Sequence, residues 1–312
     1  MKKLLVIDGN AIVHRAYHAY PPSLTTPLGE PINAVYGWFA MLIKVLEEVK
    51  PEYLAVCFDR PAPTFRKQLY AGYQAHRPQM ADDLSLQITK LQDALTNIGI
   101  PLFGIDGYEA DDLIGTISVE ARKQGVETII LSGDRDLLQL VNGKVKMLSP
   151  IVGITKFTLF DGETVKEKYG VKPSQVRDYK ALVGDNSDGY PGVAGIGPKT
   201  AIDLLSKYES LEHLYEHLGE LPEKIQLKLA TDAEQAALAK KLATILTDAP
   251  LTLDLPACDV QNFTQEKVLA VFDSFGFNSI KKRIGIFPEG AGTKKPVKKQ
   301  IQAQSENQLE LI

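Results

Sequence analysis

The 312-residue sequence has few cysteines, one tryptophan and no long apolar run. Cys57 and Cys258 are too few for a disulfide framework, and Cys57 lies within an apolar stretch. A reducing cytosol is the expected location. No run of about twenty apolar residues occurs, so no membrane span is expected. Asp8 closes the stretch Leu4-Leu5-Val6-Ile7 before a signal-peptide core is complete, and the stretch reads as a first strand. Excess positive charge is also missing. The 35 Lys and Arg face 39 Asp and Glu, for a net charge of −4. That balance argues against a simple basic protein that coats nucleic acid. Hydrophobic residues make up 44%, enough for a real core, and the length suits one large or two medium domains.

Four short apolar runs, 4–7, 53–58, 101–105 and 128–131, lack polar alternation. Buried parallel strands read this way, because both faces of the sheet are covered. Helical patterns lie between them at 34–49, 84–98 and 110–124, which implies an α/β domain over 1–165. Residues 166–250 then read as mostly helical, at 173–183, 198–207, 211–217, 222–230 and 233–246. Residues 251–288 are expected to pack back on the first domain. Residues 289–312 read as a flexible tail, basic at Lys294, Lys295, Lys298 and Lys299.

The strongest signal is where the carboxylates fall. Asp8 follows the first strand and Asp59 the second. Glu109, Asp111 and Asp112 open the helix after the third, and Asp134 and Asp136 follow the fourth. In an open parallel sheet the carboxyl ends share one rim, where ligands bind. Asp185 and Asp188 could add two more from the helical region. Any one of these is as readily a helix N-cap; coincidence at all four strand ends is much harder to explain that way. Nine clustered carboxylates repel one another unless hard divalent cations sit among them. Setting the nine aside turns the net charge of −4 into +5 for the remainder, which suits a polyanionic substrate.

Two segments point to that substrate. From Arg60 to Met80 the chain carries Arg60, Arg66, Lys67 and Arg77 and no acidic residue, with Phe65, Tyr70 and Tyr73 interleaved. Such a mixture suits single-stranded nucleic acid; the alternative is a solvated loop whose aromatics pack on the body. The run Gly192-Val193-Ala194-Gly195-Ile196-Gly197-Pro198-Lys199-Thr200 is more specific. Its glycines permit a tight turn into a helix whose first amides, with Lys199 and Thr200, can grip a phosphate backbone without sequence preference. Walker A spacing is absent.

Together these motifs resemble the 5′-nuclease (flap endonuclease) family, most closely the 5′→3′ exonuclease domain of bacterial DNA polymerase I. Val6-Ile7-Asp8-Gly9-Asn10, Phe58-Asp59, Gly107-Tyr108-Glu109-Ala110-Asp111-Asp112, Gly133-Asp134-Arg135-Asp136-Leu137 and Gly184-Asp185-Asn186-Ser187-Asp188 carry the resemblance. It implies an α/β fold: a PIN-like core with a parallel central sheet, a helical arch over about 60–82, and a helix-3-turn-helix (helix-hairpin-helix) DNA-binding region. It implies two Mg²⁺ ions, with Mn²⁺ as a substitute, held by Asp8, Asp59, Glu109, Asp111, Asp134 and Asp136, with Asp112, Asp185 and Asp188 in support. Arg77 and Gln74 take the catalytic positions of the arch. Arg15, Arg66, Lys67, Tyr73, Gly195, Gly197, Lys199 and Thr200 take DNA-contacting ones. A K⁺ ion would sit on backbone carbonyls near Leu182, Val183, Pro191, Val193 and Ile196.

The implied substrate is DNA with a 5′ flap, nick or free 5′ end, cut by a monomer during Okazaki-fragment processing and repair. The sequence departs from the family in two places. The arch reads Tyr73-Gln74-Ala75-His76-Arg77, without the usual lysine, and Gly189-Tyr190 stands where the family often has Asn-Ile. No polymerase domains follow, so a stand-alone relative is expected. The last residues, Gln308, Leu309, Leu311 and Ile312, resemble the short peptides with which bacterial replication proteins bind the sliding clamp. The competing readings are an inactive or weakly active paralogue that binds flapped DNA, and a PIN-type ribonuclease.

Overall fold

The computed structural model describes residues 1–77, 80–153 and 156–289. Its centre is strand β1 (Lys3–Asp8), flanked by β2 (Tyr53–Cys57) and β4 (Glu127–Leu131). With the two-residue β3 (Leu102–Phe103), and with β5 (Val145–Val152) and β6 (Lys156–Phe160), they form a six-stranded sheet. Its order is β3-β2-β1-β4-β5-β6, and every pair is parallel except β5–β6. Alternate β1 side chains serve two separate cores. Leu4 and Val6 face one, and Leu5 and Ile7 the other. With both faces covered, the strand has no polar positions to alternate with.

One face is covered by α1 (Gly9–Ala19), the almost wholly apolar α2 (Asn33–Val49) and α4 (Asp82–Ile98). On the same face lies α12 (Gln265–Phe275), which brings Val268, Val271 and Phe272 into that core. The return of the C-terminal segment is fixed by two backbone bonds, Leu54 N to Cys258 O and Val260 N to Glu52 O. The other face packs against α5 (Ala110–Lys123) and the helical region. The short α3 (Phe65–Leu69) begins the segment that crosses above the sheet rim.

The helical region starts with α6 (Gly162–Tyr169) and α7 (Val176–Val183). A two-stranded ribbon follows, β7 (Gly184–Asp185) with β8 (Tyr190–Pro191). Then come α8 (Pro198–Tyr208), α9 (Leu211–Glu216), α10 (Glu223–Thr231) and α11 (Ala233–Ala243). Gly184, at φ +77°, lies so close to the Gly192 backbone that a Cβ would sit 2.5 Å from the Gly192 nitrogen. The exit from α7 into the ribbon therefore needs glycine at that position. Both cysteines are buried and unpaired. Among the described residues no helix is long and apolar enough to cross a membrane.

The sequence anticipates four parallel strands and the helices between them. It misses the β5–β6 hairpin, whose antiparallel edge strand is half exposed and carries no continuous apolar run.

Candidate active site

Asp8 is the last residue of β1 and the N-cap of α1. Its Oδ1 accepts the Ala11 amide at 2.9 Å, and its Oδ2 accepts the Ser132 hydroxyl at 2.7 Å. Asp59, beyond β2, is tied to the start of α5 through the Ala110 amide at 2.7 Å. Asp134 closes a local turn by accepting the Asp136 amide at 2.9 Å. Asp8, Asp59, Glu109, Asp111, Asp134, Asp136 and Asp188 line one cavity of about 550 Å³. Parallel strands end on one side of the sheet, so residues more than a hundred positions apart meet there.

The charges in this cavity are under strain. Burial, despite the Ala11 and Ser132 hydrogen bonds, pushes Asp8 up to about 7, with Asp59 and Asp134 adding repulsion. Burial likewise pushes Asp136 up to about 7, although Lys180 pulls against it. Asp111 is driven well above the usual carboxylate range by burial and then by Asp134, Asp8 and Asp136. Glu109 is raised by burial, partly offset by Arg66. Crowded carboxylates offering only oxygen donors fit a hard divalent cation, which would stabilise their charged forms. Asp136, Asp185 and Asp188 each place a carboxylate oxygen within 4.8 Å of the other two.

Several expected roles are corrected. Arg66 is not a free DNA-binding side chain. It is 2% exposed, and its guanidinium donates to both Asp112 oxygens, at 2.8 and 2.9 Å, and to the Leu242 and Thr244 carbonyls. Asp112 is likewise not a metal ligand in this arrangement. It is fully buried, and it also accepts the Glu109 and Leu246 amides. One residue is about 100° of helix rotation, so Asp111 faces the cavity while Asp112 faces the interior. Tyr73 is 3% exposed and stacks on Tyr190 at 6.3 Å, so its ring packs on the body and is not open to a base. Asp185 does not line the cavity itself; it binds Lys180 and the Ser187 amide while keeping a carboxylate oxygen within 4.8 Å of Asp136 and Asp188, so its expected supporting role is not overturned.

Arg77 and Gln74 both reach the cavity and both bind Asp188. Lys67 lines the cavity. Arg15 stands apart from it, with Nε on the Gly153 carbonyl at 2.8 Å. In the turn before α8, Gly195 takes φ +75° and its carbonyl accepts Lys228 at 2.7 Å. Gly197 caps α8 without a side-chain bond, and Gly197 and Lys199 are exposed. Of the five residues expected to offer carbonyls to K⁺, Leu182 O accepts the Val193 amide, Pro191 O the Gln235 side chain and Val193 O the Ile196 amide. No such bond forms on the Val183 or Ile196 carbonyl among the described residues. Sequence reasoning missed Lys180, which joins Asp136 to Asp185, and also Asn10 and His14, which line the cavity. Lys180 lies five residues before Asp185 and carries no motif of its own. The tail residues Gln308, Leu309, Leu311 and Ile312 lie outside the described residues.

Residues 3–170 match the family described as 5′-3′ exonuclease, N-terminal resolvase-like domain, and residues 171–266 match 5′-3′ exonuclease, C-terminal SAM fold. The chain belongs to the 5′-3′ exonuclease family. Its relatives include the 5′-3′ exonuclease of Aquifex aeolicus, 40% identical over 253 residues, covering 81% of this chain and 85% of that one. DNA polymerase I of Caldicellulosiruptor bescii is 43% identical over 286 residues, covering 91% of this chain. The matched part is 34% of that polymerase, so this chain spans about a third of the polymerase relatives it resembles. In fold it is similar to the flap endonuclease of bacteriophage T5 solved with DNA and metal ions, with TM-score 0.64 and 20% identity, covering 88% of this chain and all of that one.

Proposed function

We propose that this chain hydrolyses phosphodiester bonds of DNA near a free 5′ end, as a 5′→3′ exonuclease and 5′-flap endonuclease. The observation that carries the reading is the gathering of seven carboxylates, from the ends of four strands and from Asp188, in one cavity. Membership of the 5′-3′ exonuclease family supports it, and the similar T5 fold is solved with DNA and metal ions. The role proposed is processing of Okazaki fragments and repair intermediates in the bacterial cytoplasm.

Asp8, Asp59, Glu109, Asp111, Asp134 and Asp136 would hold two Mg²⁺ ions, or Mn²⁺ in their place, with Asp188 beside them. Bound there, the ions supply a nucleophilic water at neutral pH and stabilise the charge of the leaving oxygen. The protein side chains do the rest. Ser132 and the Ala11 amide fix the Asp8 carboxylate, and the Ala110 amide fixes that of Asp59, so the donors are oriented before substrate arrives. Lys180 offsets the charge of Asp136 and Asp185. Arg77, half exposed at the cavity edge, steers the scissile phosphate, and Lys67 extends that positive edge. The turn before α8, with Gly195, Gly197, Lys199 and Thr200, grips the duplex backbone through its free amides. A K⁺ ion on carbonyls of that turn would stiffen it; Leu182, Pro191 and Val193 already accept one bond each, and a carbonyl oxygen has two lone pairs.

Cleavage of a 5′-labelled flap duplex is the test. Mg²⁺-dependent release of short 5′ products, abolished by EDTA and by Asp134→Ala, supports the reading. Full activity in excess EDTA, or cleavage of structured RNA in preference to the flap, overturns it. The proposed clamp contact of the tail is tested separately, by binding of a peptide spanning residues 306–312 to the organism's own clamp. Equal binding after Gln308, Leu309 and Leu311 are changed to Ala discards that contact alone.

A further inference from the structure

We infer that His213, Glu216 and His217 form a second metal site, for a borderline transition-metal cation of the Zn²⁺ class. The site shares no residue with the carboxylate cavity and does not depend on the nuclease reading.

The three residues lie in His213-Leu214-Tyr215-Glu216-His217, over α9 and the residue that caps it. Positions i, i+3 and i+4 share one helix face. Leu211 and Leu214 are buried on the opposite side, so this face turns outward. One ligand atom from each residue lies within 4.8 Å of the other two. Tetrahedral bonds of about 2.0–2.2 Å place donors roughly 3.4 Å apart. Small rotations that keep both Nδ1 bonds, together with movement of the exposed Glu216 side chain, close that difference.

The imidazoles are already set up by their surroundings. His213 Nδ1 is 2.8 Å from the Tyr208 carbonyl, and His217 Nδ1 is 2.9 Å from the His213 carbonyl. A carbonyl only accepts, so each Nδ1 carries the proton and each Nε2 keeps its lone pair. That is the outer-shell arrangement of metal-binding histidines, and it fixes the tautomer in advance. The rings stand edge to face at 4.4 Å, and His217 also leans on the buried Tyr208 ring. Helix capping is the ordinary explanation for a histidine at this place. Capping accounts for the two Nδ1 bonds. It does not account for a carboxylate converging with two imidazoles on one face.

Two imidazoles and one carboxylate suit Zn²⁺, Co²⁺, Ni²⁺ or Cu²⁺, whereas the carboxylate-rich cavity suits Mg²⁺. Water would take the fourth position. A helix of six residues is too short to be stable alone. An ion here would tie its last turn to its cap, so the expected consequence is zinc-dependent stability of the helical region.

The test is titration of the full chain with ZnCl₂ in excess Mg²⁺, with zinc X-ray absorption on the same samples. The wild type is expected to bind one Zn²⁺ more than the His213→Ala/His217→Ala variant. A contribution of two imidazoles at about 2.0–2.1 Å is expected in the wild type and is lost in the variant. Zinc taken up by the carboxylate cavity, which His14 also lines, gives the same signal in both. Glu216→Gln leaves both imidazole bonds intact and is expected to weaken zinc binding by roughly tenfold or more. Circular dichroism without zinc checks that each variant is folded. Equal stoichiometry in wild type and double variant, the same nitrogen coordination number in both, or unchanged affinity in Glu216→Gln overturns the site.

Discussion

Gln74 is bound to Asp188 twice. Its backbone N–H donates to the Asp188 carbonyl at 2.7 Å, and its side-chain amide donates to Oδ1 at 3.1 Å. Gln74 holds φ +54° to do so, a conformation that L residues rarely adopt. Gly189 lets the two segments meet, since a Cβ there would stand 3.0 Å from the Gly72 carbonyl. The two departures from the family pattern, Gln74 and Gly189, thus face one another across a single contact.

A neutral amide in that contact cannot offset charge on a phosphate as an ammonium can. Gln74→Lys is expected to raise the single-turnover rate on a flap substrate, by about tenfold. Rapid-quench measurement at saturating enzyme checks it. An unchanged rate would mean that position 74 only joins the two segments.

Arg66 and Asp112 predict a stability effect without a DNA-binding effect. Arg66→Ala leaves the buried Asp112 carboxylate without its cation, a loss of about 3–5 kcal/mol. Urea denaturation measures the loss. A stable variant with weakened DNA affinity would return Arg66 to the substrate.

Asp111 trades stability for chemistry. Asp111→Asn removes one charge from a mutually repelling group. The metal-free melting temperature is expected to rise, while Mg²⁺-supported cleavage falls by on the order of 10²-fold. Differential scanning fluorimetry in EDTA, paired with flap cleavage, checks both halves.

Stability should depend on pH in a direction unusual for aspartates. Asp8 and Asp136 are raised from 3.8 to about 7, so between about pH 4 and 7 the folded chain binds more protons than the unfolded one. Stability of the metal-free protein therefore falls as pH rises through that window. A divalent cation replaces the lost protons, so Mg²⁺ should raise the melting temperature little at pH 5 and strongly at pH 8. Equal Mg²⁺ shifts at both values would contradict the assignment of the cavity.

Much of the cavity was legible because an apolar run followed by Asp marks a strand end. Asp8, Asp59, Glu109, Asp111, Asp134 and Asp136 all reached the cavity from that rule alone. The rule does not say which way a helix is turned, and so it could not separate Asp111 from Asp112. It also cannot see a partner 46 residues away in the chain, which is what makes Arg66 an interior residue. Lys180 went unread for the same reason: its meaning lies in Asp136, on a different element. Within 251–288, the segment expected to pack back on the first domain, α12 brings Val268, Val271 and Phe272 into that domain's core.

The central place of β1 has a consequence for the order in which the molecule comes into being. β1 is made before both of the strands it pairs with, β2 on one side and β4 on the other. The hydroxyl that fixes Asp8 belongs to Ser132, 124 residues later. At typical synthesis rates of about 5–20 residues per second, the chain grows for roughly 6–25 s before that hydroxyl exists. The acidic cavity therefore cannot assemble on a short nascent chain: Asp134 and Asp136 follow β4, and its last carboxylate, Asp188, is made later still.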